Sequence, residues 1–548
     1  MNKAKAAIWT LLLVLASAVP GNSFAAVVPG SAFSILQFGA KGDGVTLDTK
    51  ALNEAIGACA KRGGGTVLVP PGVYLSGPIH LAQNVTLHLE AGALIKASPK
   101  LEDYDVESGR GSGESERAGL LTARNANNVT ITGRGVIEGN GCAFVDPVKL
   151  HQGIDYAKKF TRQGEDFMNP KYGTQHGPLA HGPRPGNLVR FFNCTNVLIE
   201  GVTIQNSPTW TVQISGCEQV TVRAVNINSL GSDRRVPNDD GIDLVESRFV
   251  HISDCDIQTG DDCIAVFGSE KVTVSNCTLS SRSAGIRVGF TGKDIRDCVF
   301  GNLVIHDSNR GLGVFVRGEG SVENVLFHDI LMSTRLYTGH WWGKGEPIQV
   351  SALRWDPKAK SLGKIKNVRF SNIRAESEAG IIVYGCSESL IEDVTFSDLK
   401  LRIKRSELQA SYGGNFDLRS TADFSSALFS HDIPALYATH VAGLTVERFQ
   451  LSAERDLPPF FTEALRFENF RDIDIDAFKG GPLAGKASAA IVLKGGAGVS
   501  IRNCRAADGT DLFLSHSGVT DARAFLNNDL TRAQRVCEPA MLDFQVTR

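Results

Sequence analysis

Several things that usually give a chain away are scarce here. Lysine and arginine number 57 against 59 acidic residues, a net charge of −2, so no surplus of charge points to a nucleic-acid partner. Past the first 25 residues, no apolar run approaches the roughly 20 residues that a membrane-spanning helix needs, and no membrane partner is expected. The eleven cysteines are an odd number and no CxxC pair occurs, which argues against both a fully paired disulfide framework and a zinc site. Tryptophan occurs only five times, so two adjacent tryptophans, Trp341 and Trp342, stand out. Amphipathic helical patterns are also sparse, one near Asp48 excepted.

What is present first is an export signal. A basic start (Lys3, Lys5), an apolar stretch from Ala6 to Val19 and the ending Ser23-Phe24-Ala25 read as a signal peptide spanning residues 1–25. The mature protein is therefore expected to be periplasmic or secreted, and a monomer. About 520 mature residues would ordinarily suggest several domains. A solenoid escapes that expectation, because it lengthens without needing a new core.

A short unit keeps returning: NVTLHLEAGALI from Asn84, NVTITGRGVIEG from Asn128, NVLIEGVTIQNS from Asn196, KVTVSNCTLS from Lys271 and NVRFSNIRAES from Asn367. Its spacing is about 22 to 30 residues where tightest, within the range of solenoid repeats. Strands of three to five residues that alternate apolar and polar, joined by further short strands, predict an all-β parallel β-helix. A β-sandwich would instead show hairpin turns of two to five residues. Six cysteines (Cys194, Cys217, Cys255, Cys277, Cys298, Cys504) fall at similar places in successive repeats, as stacked buried thiols would. Asp48 opens a helical pattern with Leu52, Ile56 and Cys59 on one face, which predicts a short N-terminal cap over the first coil. The whole of 26–548 is expected to be a single β-helix domain with long loop insertions at Cys142–Arg184, Ser333–Gly363 and Arg402–Ala438.

The chemistry gathers in NDDGIDLVESRFVHISDCDIQTGDDC, Asn238 to Cys263. One knot of acids contains Asp239, Asp240 and Asp243, and a second contains Asp261 and Asp262. Asp240 and Asp261 are 21 residues apart, close to one repeat. On neighbouring coils, about 4.8 Å apart, the two knots would share one cleft. Three uses of Asp240, Asp261 and Asp262 stay open on residues alone. They could hydrolyse a glycosidic bond, since crowded carboxylates raise the pKa of one member. They could hold calcium, as in a polysaccharide lyase. They could simply satisfy backbone N–H groups in turns.

NDDGID and TGDDC resemble the paired-aspartate signatures of the polygalacturonases, glycoside hydrolase family 28, with Asp239 in place of a threonine. RPGNLVRFFNCTNVLIEGVTIQNSPTWTV, from Arg184 to Val212, is similar to another segment of that family. The resemblance implies a right-handed parallel β-helix and an inverting hydrolase of pectin-type, uronate-containing polysaccharide or oligosaccharide, with no cofactor and no metal. It implies Asp261 as general acid and Asp240 and Asp262 as bases. Two departures qualify the substrate: Ala284 stands where the family has histidine, and Phe315-Val316-Arg317 where it has Arg-Ile-Lys. These favour a rhamnogalacturonan or another linkage as the alternative. The rivals of another class are a non-catalytic glycan-binding β-helix and a metal-dependent lyase.

Substrate contacts are expected from Arg287 and Arg317, one and two coils beyond Asp262, since arginine pairs with carboxylates in a fork. For Arg287 a salt bridge within the acid cluster is the equal alternative. Trp341 and Trp342 can stack on sugar rings or plug their insertion onto the barrel, and one can do each. Lys344 and Glu346, with His340, complete the candidates on that glycine-rich loop.

Overall fold

The computed structural model describes residues 32–106, 115, 117–151, 176–229, 235–290, 292–339, 341–409, 413, 415–419, 421, 428–430, 432–483 and 489–539. The leader expected at 1–25, much of the first insertion and His340 lie outside them. The described chain is a right-handed parallel β-helix: thirty-eight strands join one continuous sheet, and successive coils pair in parallel. The unit beginning at Asn84 becomes strands Val85–Leu89 and Ala93–Ala97, each with every second side chain buried. That period of two turns valine, leucine and isoleucine inward and leaves polar residues outside.

Stacking is what the repeats achieve. Phe300, Phe327, Phe370 and Phe396 lie on four consecutive coils with ring centroids 4.9, 5.0 and 5.0 Å apart, the spacing that the strands themselves impose. The six cysteines are buried free thiols, but they stack only in two pairs, Cys194 on Cys217 and Cys255 on Cys277; Cys298 is in register with Val325 and Cys504 with Phe478. Helix Thr49–Lys61 buries Leu52, Ile56 and Cys59. Asp48, just before it, spends its carboxylate on the amides of Lys41 and Gly42, at 2.7 and 3.1 Å, rather than on the helix.

The asparagine that opens most of these units also has a structural cause. Asn84, Asn128 and Asn196 have φ of 60, 56 and 56°, a left-handed turn that asparagine tolerates better than most residues. Their amides form a ladder, Asn196 Nδ2 donating to Asn128 Oδ1 at 2.8 Å and Asn128 Nδ2 to Asn84 Oδ1 at 2.7 Å. Asn196→Ala loses both the tolerated turn and the rung, and is expected to cost about 2 kcal/mol. Asn196→Gly keeps the turn and should cost about half as much. Urea unfolding of the two variants beside the parent measures both. Among the described residues, no helix is long and apolar enough to cross a membrane.

Candidate active site

Five strands on consecutive coils build the site: Ile242–Val245, Ile264–Phe267, Ala284–Phe290, Arg310–Val316 and Ile348–Ala352. Ile242, Ile264, Ile286, Leu312 and Ile348 are in register and point into the barrel. The turns entering the first three strands are therefore also in register, which sets Asp240 beside Asp262 and Asp262 beside Ala284. Gly241 N donates to Asp262 O at 2.9 Å and Cys263 N to Ala284 O at 3.0 Å, fixing that alignment. The stack is tight enough to require glycine in the first turn. A Cβ at Gly241 would stand 2.4 Å from the Cys263 carbonyl oxygen and 2.7 Å from Ile257.

One carboxylate oxygen from each of Asp240, Asp261 and Asp262 lies within 4.8 Å of the others. Asp262 accepts from Ser283 Oγ at 2.8 Å, from Ala284 N at 3.0 Å and from Arg287 Nε. Arg287 also reaches Asp240, Nη2 to Oδ2 at 3.7 Å. Asp261 is tied differently. Its Oδ1 accepts from Asp262 N at 3.0 Å, and its carbonyl oxygen accepts from the hydroxyls of Thr259 and Ser281 at 2.6 and 2.5 Å. Burial, and then the charge of Asp262, push the Asp261 carboxyl well above the ordinary carboxylate range. Burial and the neighbouring Asp261 raise Asp240 too, with Arg287 opposing. Burial works against the Arg287 charge, but Asp262 and Asp240 outweigh it and hold the guanidinium protonated.

Around the acids lies a cleft of about 360 Å³ whose walls are aromatic: Trp210, Phe267, Phe290, Phe315, Trp342 and Trp355. Trp210 stacks on Phe267 with centroids 5.8 Å apart, and the Arg287 guanidinium lies 4.3 Å from the Phe267 ring centre. Flat apolar faces of this kind suit the C–H faces of pyranose rings. Arg310 and Arg419 are the further cations on the wall.

Of the expected substrate contacts, Arg287 and Trp342 line the cleft and four others do not. Arg317 is the clearest correction. It is 0 % exposed, and its guanidinium donates to the Ser351 carbonyl oxygen at 3.1 Å, to Ser351 Oγ at 2.9 Å and to the Leu418 carbonyl oxygen at 3.2 Å. Coil spacing puts it on the right wall, and alternation would turn it outward like Gly313 and Phe315, in register with Arg287 and Gly289, but the third insertion closes over it at Leu418. Arg317 turns under Phe315, where burial brings its pKa down to about 9. Trp341 is 3 % exposed and donates from Nε1 to the His176 carbonyl oxygen at 3.0 Å. It is the plug of the pair, while Trp342 faces the cleft.

Lys344 and Glu346 are likewise buried, at 4 % and 0 % exposure. Glu346 accepts from the backbone amides of Lys344 and Asp417 at 2.6 and 3.0 Å. Asp417 and Arg419 are joined by a forked pair at 2.8 and 2.9 Å, and Arg419 donates to the Trp341 carbonyl oxygen at 2.7 Å. These charges pin the third insertion to the second and support Trp342 from behind. Sequence reasoning missed Trp210, Phe267, Phe290, Trp355, Arg310 and Arg419. Trp210 and Trp355 carried a signal in their rarity. The arginines carried none before the coils could be counted in register.

Comparison with known proteins gives the family and the fold. The profile of the glycosyl hydrolases of family 28 matches residues 59–413. A polygalacturonase of Malus domestica is 26 % identical over 419 residues, which cover 72 % of this chain and 80 % of that one. The exopolygalacturonase of Thermotoga maritima is 25 % identical, with a TM-score of 0.53 over 69 % of this chain and 88 % of its own. A family 28 exopolygalacturonase of Yersinia enterocolitica shares the fold at 20 % identity, TM-score 0.57, covering 81 % of this chain and 77 % of that one.

Proposed function

This chain belongs to the glycosyl hydrolases of family 28, and from that premise we propose that it cleaves a glycosidic bond in a polygalacturonan-type polysaccharide by general acid and base action on water. Asp261 gives its proton to the departing glycosidic oxygen. Asp240 and Asp262 hold the attacking water, and one of them takes its proton as the new C–O bond forms. The observation that carries Asp261 as the acid and Asp262 as a base is the unequal surroundings of these two carboxyls; Asp240, raised as well, is placed with the bases by its register beside Asp262. Asp262 accepts from three donors, whereas Asp261 sits raised beside it. Surroundings this different are how acid and base roles are separated among neighbouring carboxyls.

The spacing bears on how the water is held. Inverting enzymes generally set their acid and base about 6.5–9.5 Å apart, and this cluster is tighter, with oxygens within 4.8 Å. Two oxygens that close can both accept from a single water at about 2.7 Å each. That favours Asp240 and Asp262 as a joint cradle for water; inversion at the anomeric carbon is carried by the family resemblance and not by this spacing. The same spacing would also suit a divalent cation, but the Arg287 guanidinium already reaches two of the three acids.

Digestion of polygalacturonate and of rhamnogalacturonan, followed by proton NMR of the first product formed, tests the proposal. New reducing ends with the anomer opposite to the substrate linkage are expected, with turnover unaffected by chelator. An unsaturated, ultraviolet-absorbing product lost on chelation would replace this reading with a lyase. Release confined to rhamnogalacturonan would move the substrate, not the chemistry.

A further inference from the structure

Arg310 occupies the next place in the row that begins with the acids. Ala284 pairs with Arg310, so Asp240, Asp262, Ala284 and Arg310 succeed one another at about 4.8 Å per coil. Ala284 contributes only a methyl group, and no long side chain rises from that position between the carboxylates and the guanidinium.

Arg310 lines the cleft yet is only 3 % exposed, and its protein partners are poor. The carboxylates of Glu346 and Asp417 each come no closer than 3.9 Å, because both are engaged elsewhere: Asp417 by Arg419, Glu346 by two backbone amides. Among the described residues its guanidinium makes one hydrogen bond, Nη2 to the Asp417 carbonyl oxygen, long at 3.5 Å, and Nε has no hydrogen-bond partner. Beside it, Asn309 Oδ1 and Gln349 Oε1 are also buried without a hydrogen-bond partner. A buried guanidinium held so loosely is costly, and one that lines the cleft is placed to take an anionic partner from it.

We propose that Arg310 binds the carboxylate of a uronate residue of the substrate, at the end of the cleft beyond Ala284, and so makes the protein prefer acidic over neutral glycan. Arg287 cannot serve in this way, since Asp262 and Asp240 already take its guanidinium. The proposal rests on the polyuronate reading above, and its test is a binding measurement that needs no turnover.

Trigalacturonate and its carboxyl-reduced counterpart are titrated calorimetrically into Asp261→Asn protein and into Asp261→Asn carrying Arg310→Met or Arg310→Lys. The parent should bind the acidic trisaccharide at least about tenfold more tightly, and Arg310→Met should remove about 10- to 100-fold of that affinity while shifting the neutral one less than about threefold. Arg310→Lys, which keeps the charge but not the fork, should fall between them and serves if the methionine variant does not fold. A preference that survives either substitution, an equal loss for both ligands, or a parent with no preference overturns the proposal. Failure of the hydrolase reading looks different: the unmutated protein would bind trigalacturonate yet free no reducing ends from polygalacturonate.

Discussion

Asp261→Asn is expected to lower turnover by about 10²- to 10⁴-fold, the range that a positioned proton donor supplies, while the glycan still binds. The amide fills the same space but has no proton to give to the leaving oxygen. The loss should shrink on a nitrophenyl uronide, whose leaving group departs without protonation. Asp240→Asn, which disables the water instead, should hurt both substrates alike. The pH profile adds a second signature. A general acid works only while protonated, and burial with the neighbouring Asp262 charge raises the Asp261 pKa. Activity should therefore persist above the ordinary carboxylate range and fall as pH rises through the raised value. That alkaline limb should vanish in Asp261→Asn. Equal losses on the natural and the nitrophenyl substrates would end the assignment of Asp261 as the acid.

Asp239→Asn is expected to change the dependence of stability on pH. The Asp239 carboxyl is fully buried, contacts Ser229 Oγ, and is lifted by burial from 3.8 to about 7. Its folded pKa thus lies above its unfolded one. Below about pH 4 both states hold the proton and its stabilising contribution is complete; the contribution falls as pH rises toward 7, where the folded state must ionise a buried group. At 1.36 kcal/mol per pKa unit the loss is on the order of 4 kcal/mol. Asparagine is neutral throughout, so the variant should gain on the parent steadily from about pH 4 to pH 7 and keep that margin above it. Urea midpoints across this range measure the gap. A gap of the same size at every pH would show that the carboxyl does not titrate there.

The coil repeat and the acid cluster were legible in the sequence for the same reason: both depend on counting whole turns. Valines and isoleucines at every second place mark strands, and a return after 21 residues brings Asp261 under the coil of Asp240 without any detail of side-chain direction. Arg317 shows where such counting stops. Its distance along the chain places it on the correct wall and alternation past Val316 turns it outward, but what then covers it, Leu418 of the third insertion, comes from about 100 residues further along the chain. The same limit hid Arg310, whose partners come from coils and insertions more than 30 residues away. The tryptophan pair was readable as a division of labour. Which ring plugs and which faces the sugar depended on the His176 carbonyl, on a loop the sequence does not bring near.

The buried thiols have a practical corollary. Cys194, Cys217, Cys255, Cys277, Cys298 and Cys504 are buried and bonded to no other sulfur. At these places neighbouring coils are joined by dispersion and backbone hydrogen bonds, with no staple for glutathione or dithiothreitol to open. Whatever compartment the chain is made for, a reducing agent has no bond to break at these six positions, and reduction by itself should leave the barrel there unchanged.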